Sequence, residues 1–144
     1  MSDAPRRIGF MQGRLSPQID GKIQAFPWPY WRDEFPLARD LGFARLEWTL
    51  DHDDLAANPL MTAEGQAEIR ALSAAHGVAV SSITGDCFMQ APFWKATGAA
   101  RTALVEEMAD VVKADQPPAG DKQNRSKRRQ RHQAQKLRQE CHEP

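Results

Sequence analysis

A chain of 144 residues with 41% hydrophobic and 26% charged residues has the size and composition of one globular domain. No stretch approaches the roughly 18 consecutive apolar residues of a membrane span, and the start MSDAPRRIGF lacks the apolar run of a secretory signal. Only Cys87 and Cys141 are present, which excludes a disulfide framework and a CxxC site. We therefore expect reduced thiols, a cytoplasmic location and no membrane partner.

The net charge of zero is the average of two unlike parts of the chain. Residues 1–114 hold 11 Lys and Arg against 15 Asp and Glu, a formal charge of −4. Residues 115–144 hold 8 against 4, a formal charge of +4, and contain almost no large apolar side chains. This asymmetry predicts a folded domain over 1–114 and a basic, disordered tail over 115–144.

Apolar strands and amphipathic helices alternate along the first 113 residues. Period-two patterns and apolar runs predict strands over 7–11, 44–50 and 78–84, and the uncharged third strand is typical of a sheet covered by helices. Helical spacing predicts helices over about 33–41, 62–76 and 97–113, the first two ending at Gly42 and Gly77. The order β-α-β-α-β-α indicates parallel βαβ units, in a doubly wound sheet or a TIM barrel. IGFMQG lacks the spacing of a dinucleotide-binding glycine motif.

Several segments together resemble a known family. IGFMQGRLSP, QAFPWPYW, FARLEWTLD and NPLMTAEGQAEIRALSAAHGVAVSSITGDCFMQAPF are similar to the amino-terminal part of xylose-isomerase-like TIM barrels, over about residues 6–113. Within that group the chain most resembles sugar-phosphate isomerases and epimerases, of the hexulose-phosphate isomerase and ribulose-phosphate 3-epimerase kind. The resemblance implies an α/β fold: a partial (β/α)8 barrel of three βα units, with a site for a sugar or sugar phosphate at the carboxyl ends of the strands.

The resemblance also implies a divalent metal in the complete fold, held by carboxylates and a histidine beside paired glutamates that move a proton next to the sugar carbonyl. Those groups come mostly from later strands, which this chain does not supply. We therefore expect no catalytic residue, no bound metal and no turnover from this chain alone. We therefore interpret the chain as a truncated sugar-phosphate isomerase or epimerase.

Five residues at the predicted carboxyl edge are candidates for substrate binding. Gln12 and Arg14 follow the first strand, and the arginine fork could bind a phosphate or, alternatively, close a surface loop. Glu47 and Trp48 lie near the end of the second strand. Glu47 could bind sugar hydroxyls, support a metal ligand, or form a structural salt bridge to Arg14 or Arg45. Asp86 follows the third strand and could bind a hydroxyl or act as a loop or cap residue.

Three other features have weaker functional interpretations. Cys87 has no neighbouring His or Lys in sequence, which argues against a nucleophile. The run 51–54, DHDD, matches no metal-ligand spacing and is typical of a solvated loop. Trp28, Tyr30 and Trp31 could stack on a sugar ring, although such aromatics more often pin a long loop.

The basic tail leaves two interpretations open. It is either a nucleic-acid-binding arm or the product of a frameshift or early stop that replaced the fourth strand. Residues 122–138 hold eight basic side chains with no aromatic residue to stack on bases, so we expect phosphate contact at most and nucleic-acid binding to be unlikely. Three strands would also leave two unpaired edges and one exposed apolar sheet face, which predicts self-association.

Overall fold

Three strands and four helices follow one another along the residues that the computed structural model describes, 8–114. The strands are β1 (Gly9–Met11), β2 (Arg45–Thr49) and β3 (Ala79–Thr84). The helices are α1 (Glu34–Leu41), α2 (Ala63–His76), α3 (Asp86–Gln90) and α4 (Gly98–Ala114), with 3₁₀ turns at Leu55–Ala57 and Pro59–Met61. The predicted basic tail and Cys141 lie outside the described residues.

The strands form one parallel sheet in the order β1-β2-β3. Phe10 pairs with Leu46, and Leu46 pairs with Val80. The β2–β3 register then shifts by one residue between Leu46 and Glu47, so that Ser81 is the extra residue of a bulge. The chain is thus a mixed α/β fold with a small parallel sheet, and the coarse fold prediction is confirmed.

The two predicted glycine caps close α1 and α2 as expected. Gly42 and Gly77 have φ values of 78° and 69°, a left-handed conformation that other residues adopt only with strain. At the start of α2, the hydroxyl of Thr62 accepts a hydrogen bond from the backbone N–H of Gly65 at 3.1 Å. These local signals explain why the helix boundaries could be predicted to within about two residues.

The hydrophobic core lies on the helix-covered face of the sheet. Leu46 and Trp48 of β2 and Leu50, directly after it, alternate along the chain and are all fully buried, as the period-two pattern predicts. They belong to one cluster with residues of the loop after β1 and of the helices, among them Phe26, Trp31, Phe35, Ala38, Ile69 and Val111. No helix among residues 8–114 is long and apolar enough to cross a membrane.

The opposite face of the sheet is open and of mixed polarity. Charged and hydroxyl side chains of Arg45, Glu47, Ser81 and Ser82 line an open trough of about 280 Å³ there, together with Gly9, Phe10 and Met11. The predicted exposed face is therefore only partly apolar. Helices cover the core face of the sheet, whereas both serines of β3 are exposed. Serine is uncharged but polar, so a strand that lacks charged residues can still expose part of one face to water.

The loop between β2 and α2 and the segment that follows β3 contain structure that the sequence did not predict. Two 3₁₀ turns lie between β2 and α2, and Asn58 caps the second by accepting a hydrogen bond from the N–H of Leu60 at 3.0 Å. The short helix α3 begins directly after β3, and its Cys87 N–H donates to the carbonyl of Leu50 at 2.8 Å. This bond fixes Asp86 beside the end of β2.

Candidate functional site at the carboxyl edge of the sheet

Four of the five predicted binding residues lie close to the edge at which the strands end. Gln12 and Arg14 follow β1, Glu47 is on the open face of β2, and Asp86 follows β3. Parallel strands end at the same edge of a sheet, so residues distant in sequence meet there. The charges of Glu47 and Arg14 both affect the pKa of Asp86, which supports the proximity of these three residues.

Gln12 extends the β1–β2 ladder with its side chain. Its backbone N–H donates to the carbonyl of Glu47 at 2.9 Å, and its Oε1 accepts from the N–H of Thr49 at 3.0 Å. The residue is only 1% exposed. Its Nε2 is buried and has no hydrogen-bond partner among the described residues. Gln12 thus fixes the end of β2 and carries an unsatisfied buried donor, a feature uncommon enough in folded proteins to need an explanation.

Arg14 lies on the exposed side of the loop after β1. Its guanidinium donates to the carbonyl of Ile23 and contacts the Met11 sulfur at 3.6 Å. The predicted alternative, a salt bridge to Glu47, is absent among the described residues, where no Arg14–carboxylate pair lies within 4 Å. The guanidinium has five N–H donors, so these two contacts leave capacity for an anion.

Asp86 is a carboxyl at the edge whose pKa is perturbed. Burial raises its pKa, and the charges of Asp51 and Glu47 raise it further, whereas the charge of Arg14 lowers it. Its Oδ2 is buried without a hydrogen-bond partner among residues 8–114. A carboxyl group that is partly desolvated, close to two other carboxylates and unpaired is the arrangement that binding and catalytic sites often maintain.

Trp48 is the predicted binding residue that does not reach the edge. It is 0% exposed, and its ring packs against Trp31 and Phe26 with centroid distances of 5.5 Å each. Its indole N–H donates to Oδ1 of Asn58 at 2.9 Å. The side chain therefore packs in the core with its polar atom satisfied and offers no surface to a ligand. The alternation of β2 puts Trp48 and Glu47 on opposite faces.

The loop after β2 is more ordered than a solvated acidic run. Asp51 accepts from the N–H of Phe26 at 2.7 Å and from Nε2 of Gln90 at 2.9 Å. Oε1 of the same glutamine accepts from the N–H of His52 at 2.7 Å, and His52 Nδ1 lies 3.2 Å from Glu107 of α4. Asp51 and His52 therefore tie the loop after β1, α3 and α4 to the end of β2. Residues 53 and 54 are exposed, as the prediction of a solvated loop expects.

A second depression of about 220 Å³ lies between the loops that follow β1 and β2. Trp28 and Asp51 are among its lining residues, and Trp28 stacks edge-on against Phe26 at 4.8 Å. Of the three aromatic residues considered for stacking, Trp31 is buried in the core, Tyr30 is half-buried and Trp28 is 38% exposed. Only Trp28 thus presents a substantial part of its ring beside a cleft.

The described residues contain no group of three His, Cys, Asp or Glu side chains arranged to hold a metal ion. Cys87 is buried, and burial raises the pKa of its thiol to about 11. A thiol with such a pKa is almost entirely protonated at neutral pH and is a poor nucleophile. The Glu47 and Asp86 carboxylates and the Arg14 guanidinium supply hydrogen bonding and charge at the edge.

Three residues that organise this edge have no direct signal in the sequence: Glu34, Gln90 and Asn58. Each acts through contacts that depend on the fold, such as the hydrogen bond between Gly13 and Glu34, which are 21 residues apart in the sequence.

Comparisons of the chain with models of protein families, with curated proteins and with solved structures found no match.

Proposed function

We propose that residues 8–114 form a three-unit sector of a TIM-type barrel whose carboxyl edge binds a sugar or sugar phosphate. In this proposal Glu47 and Asp86 accept hydrogen bonds from ligand hydroxyls, and Arg14 binds an anionic group. The resemblance to xylose-isomerase-like isomerases and epimerases supports the ligand class. The parallel α/β units support the fold class. The role assigned to this chain is binding, without turnover.

The observation that carries the proposal is the state of Asp86. Burial and two neighbouring carboxylates raise its pKa, yet its buried Oδ2 has no partner among the described residues. Leaving a polar atom buried and unpaired costs about 1–3 kcal/mol. Asp86 is half-buried, so a rotation of its side chain would bring this oxygen to the open edge, where a ligand hydroxyl donating to it would recover that cost. A polyhydroxylated ligand supplies several such donors on neighbouring carbons.

The surroundings of Asp86 suit an extended polar ligand. The charge of Glu47 affects the pKa of Asp86, and Glu47 also lines the open trough. Ser81 and Ser82 add hydroxyl groups to the trough, and these can donate and accept hydrogen bonds. A ligand lying across the edge could therefore bind Asp86 at one end and the open face of the sheet at the other.

Isothermal titration calorimetry of the full chain with fructose 6-phosphate and ribulose 5-phosphate tests the proposal. We expect weak binding, with a Kd on the order of 1 mM, because the edge is open to solvent. Glu47→Gln and Asp86→Asn should each weaken binding about tenfold, the effect of losing about 1.4 kcal/mol from a charged hydrogen bond.

Two matched substitutions serve as controls. Glu64→Gln in α2 and Asp40→Asn in α1 make the same chemical changes at exposed helix positions, outside the strands and the loops that directly follow them. Both should leave the Kd unchanged. Equal effects of the edge and control variants, or no heat with either sugar phosphate, would contradict the proposed function.

A further inference from the structure

The carboxylate of Glu34 is enclosed by the loop that follows β1. Its Oε1 accepts hydrogen bonds from the N–H groups of Gly13 at 2.8 Å and Leu15 at 3.2 Å, and from the hydroxyl of Ser16 at 3.2 Å. Its Oε2 accepts a further contact from the Gly13 N–H at 3.1 Å. The residue is 0% exposed. One acidic side chain of α1 thus fixes three positions of the loop, residues 13, 15 and 16, which lie on both sides of Arg14.

This arrangement is costly to maintain. Burial raises the pKa of Glu34, and the hydrogen bonds from Leu15, Gly13 and Ser16 only partly oppose that effect. An apolar residue at the first position of α1 would avoid the desolvation of a carboxylate. A purpose beyond stability, namely a defined loop conformation, would account for a carboxylate at this position.

The two backbone N–H donors flank Arg14. Gly13 has a φ of +84°, a conformation that glycine adopts without strain, and this turns its N–H toward the carboxylate. Since residues 13 and 15 are both bound to Glu34, the direction in which Arg14 leaves the backbone is set. Its guanidinium then lies close enough to Asp86 for its charge to lower the pKa of that carboxyl.

We propose that Glu34 is a positioning residue, which holds Arg14 at the carboxyl edge so that its guanidinium selects phosphorylated over unphosphorylated sugars. This inference rests on the proposed function, because it assigns the anionic end of the same ligand. Glu34 itself touches no ligand. It acts through the backbone of Gly13 and Leu15, and the guanidinium makes the contact with phosphate, for which a bidentate fork is well suited.

The test is the ratio of the Kd for fructose to the Kd for fructose 6-phosphate, measured with the full chain. Arg14→Met should lower this ratio about tenfold, the loss of roughly one charge-assisted contact. Glu34→Gln should lower it at least about fivefold while leaving the Kd for fructose unchanged, because the amide loses the carboxylate charge and replaces one acceptor oxygen with an NH2 group that cannot accept from the Gly13 N–H. The double variant should equal Arg14→Met alone.

If Glu34 has a purely structural role, Glu34→Gln should weaken the binding of both sugars by the same factor and leave the ratio of the Kd values unchanged. That result would overturn the inference. The matched control is Glu68→Gln, which removes the Arg32–Glu68 ion pair between the segment before α1 and α2 and should not change the ratio. Should Glu34→Gln fail to fold, Ser16→Ala removes a single donor and should still lower the ratio, by about twofold. An unchanged ratio in that variant would also count against the inference.

The two proposals fail in different ways. If the wild-type chain binds neither fructose nor fructose 6-phosphate, the proposed function is wrong. If it binds both but Glu34→Gln discriminates as well as the wild type, the proposed function stands and the role of Glu34 is wrong.

Discussion

Replacing Asn58 by alanine should be among the most destabilising single substitutions in this fold. Asn58 is 2% exposed and lies between the two 3₁₀ turns. Its Oδ1 accepts from the indole N–H of Trp48 at 2.9 Å and from the N–H of Leu60 at 3.0 Å. Its Nδ2 donates to the carbonyl of Thr49 at 3.4 Å. One side chain therefore provides hydrogen-bond partners for the indole of Trp48, for the second 3₁₀ turn and for the end of β2.

The magnitude follows from the groups that the substitution leaves unpaired. A buried donor without a partner costs about 1–3 kcal/mol. The Trp48 indole is fully buried and should cost about 2 kcal/mol, whereas Leu60 is 7% exposed and should cost about 1 kcal/mol. The long bond to Thr49 adds little. We expect a loss of about 3 kcal/mol, a large part of the roughly 5–15 kcal/mol by which a domain is stable.

Urea unfolding followed by circular dichroism at 222 nm measures this loss. With an m-value of about 1.5 kcal/mol/M, the midpoint should fall by about 2 M. Trp48→Phe removes the indole N–H, so Asn58→Ala should cost at least about 1 kcal/mol less in that background than in the wild type. A loss below about 1 kcal/mol, or additive effects of the two substitutions, would refute the reasoning.

Four further predictions concern other parts of the chain. Because the pKa of Asp86 is raised in the folded state, Asp86→Asn should raise the melting temperature at pH 7. This gain should shrink as the pH falls through the raised pKa, and it should vanish below about pH 4, where the wild-type carboxyl is protonated in both the folded and the unfolded state. A gain in melting temperature that grows on acidification would contradict this. In a Cys141→Ser variant, Cys87 should react with a thiol reagent at pH 8 far more slowly when folded than in urea, and equal rates would show an accessible thiolate. Since the outer edges of β1 and β3 are unpaired within residues 8–114, size-exclusion chromatography should show concentration-dependent association, and one sharp monomer peak at all concentrations would argue against it. The full chain should retain no RNA on a filter at moderate salt, and retention that is lost on deletion of residues 115–144 would instead favour the basic arm.

The fold was predictable where local signals decide the structure. Gly42 and Gly77 end the first two long helices because their left-handed conformation favours glycine, and a sequence shows glycine directly. Leu46, Trp48 and Leu50 alternate on one face because β-strand side chains do. The same alternation indicates that Trp48 and Glu47 cannot share a site, which the sequence interpretation overlooked when it grouped them by adjacency.

The site was only partly predictable because its organisation depends on contacts between distant segments. The strand ends indicated Gln12, Arg14 and Asp86, since the carboxyl edge of a parallel sheet follows from strand order alone. Glu34 was missed because an acidic residue in the first turn of a helix is ordinary, and nothing local shows that a loop 21 residues earlier encloses it. Gln90 was missed because α3 is too short for a periodic pattern to reveal.

A nuclear magnetic resonance titration of the ¹⁵N-labelled full chain with fructose 6-phosphate, up to about 10 mM, tests most directly whether the carboxyl edge binds sugar phosphates. We predict that the amide signals of residues 12–14, 47–49 and 85–87 shift together along one saturating curve. Signals of the outer turns of α2 should stay in place. Absence of shifts at the highest concentration, or shifts confined to residues away from the strand ends, would contradict the assignment of this edge as the binding site.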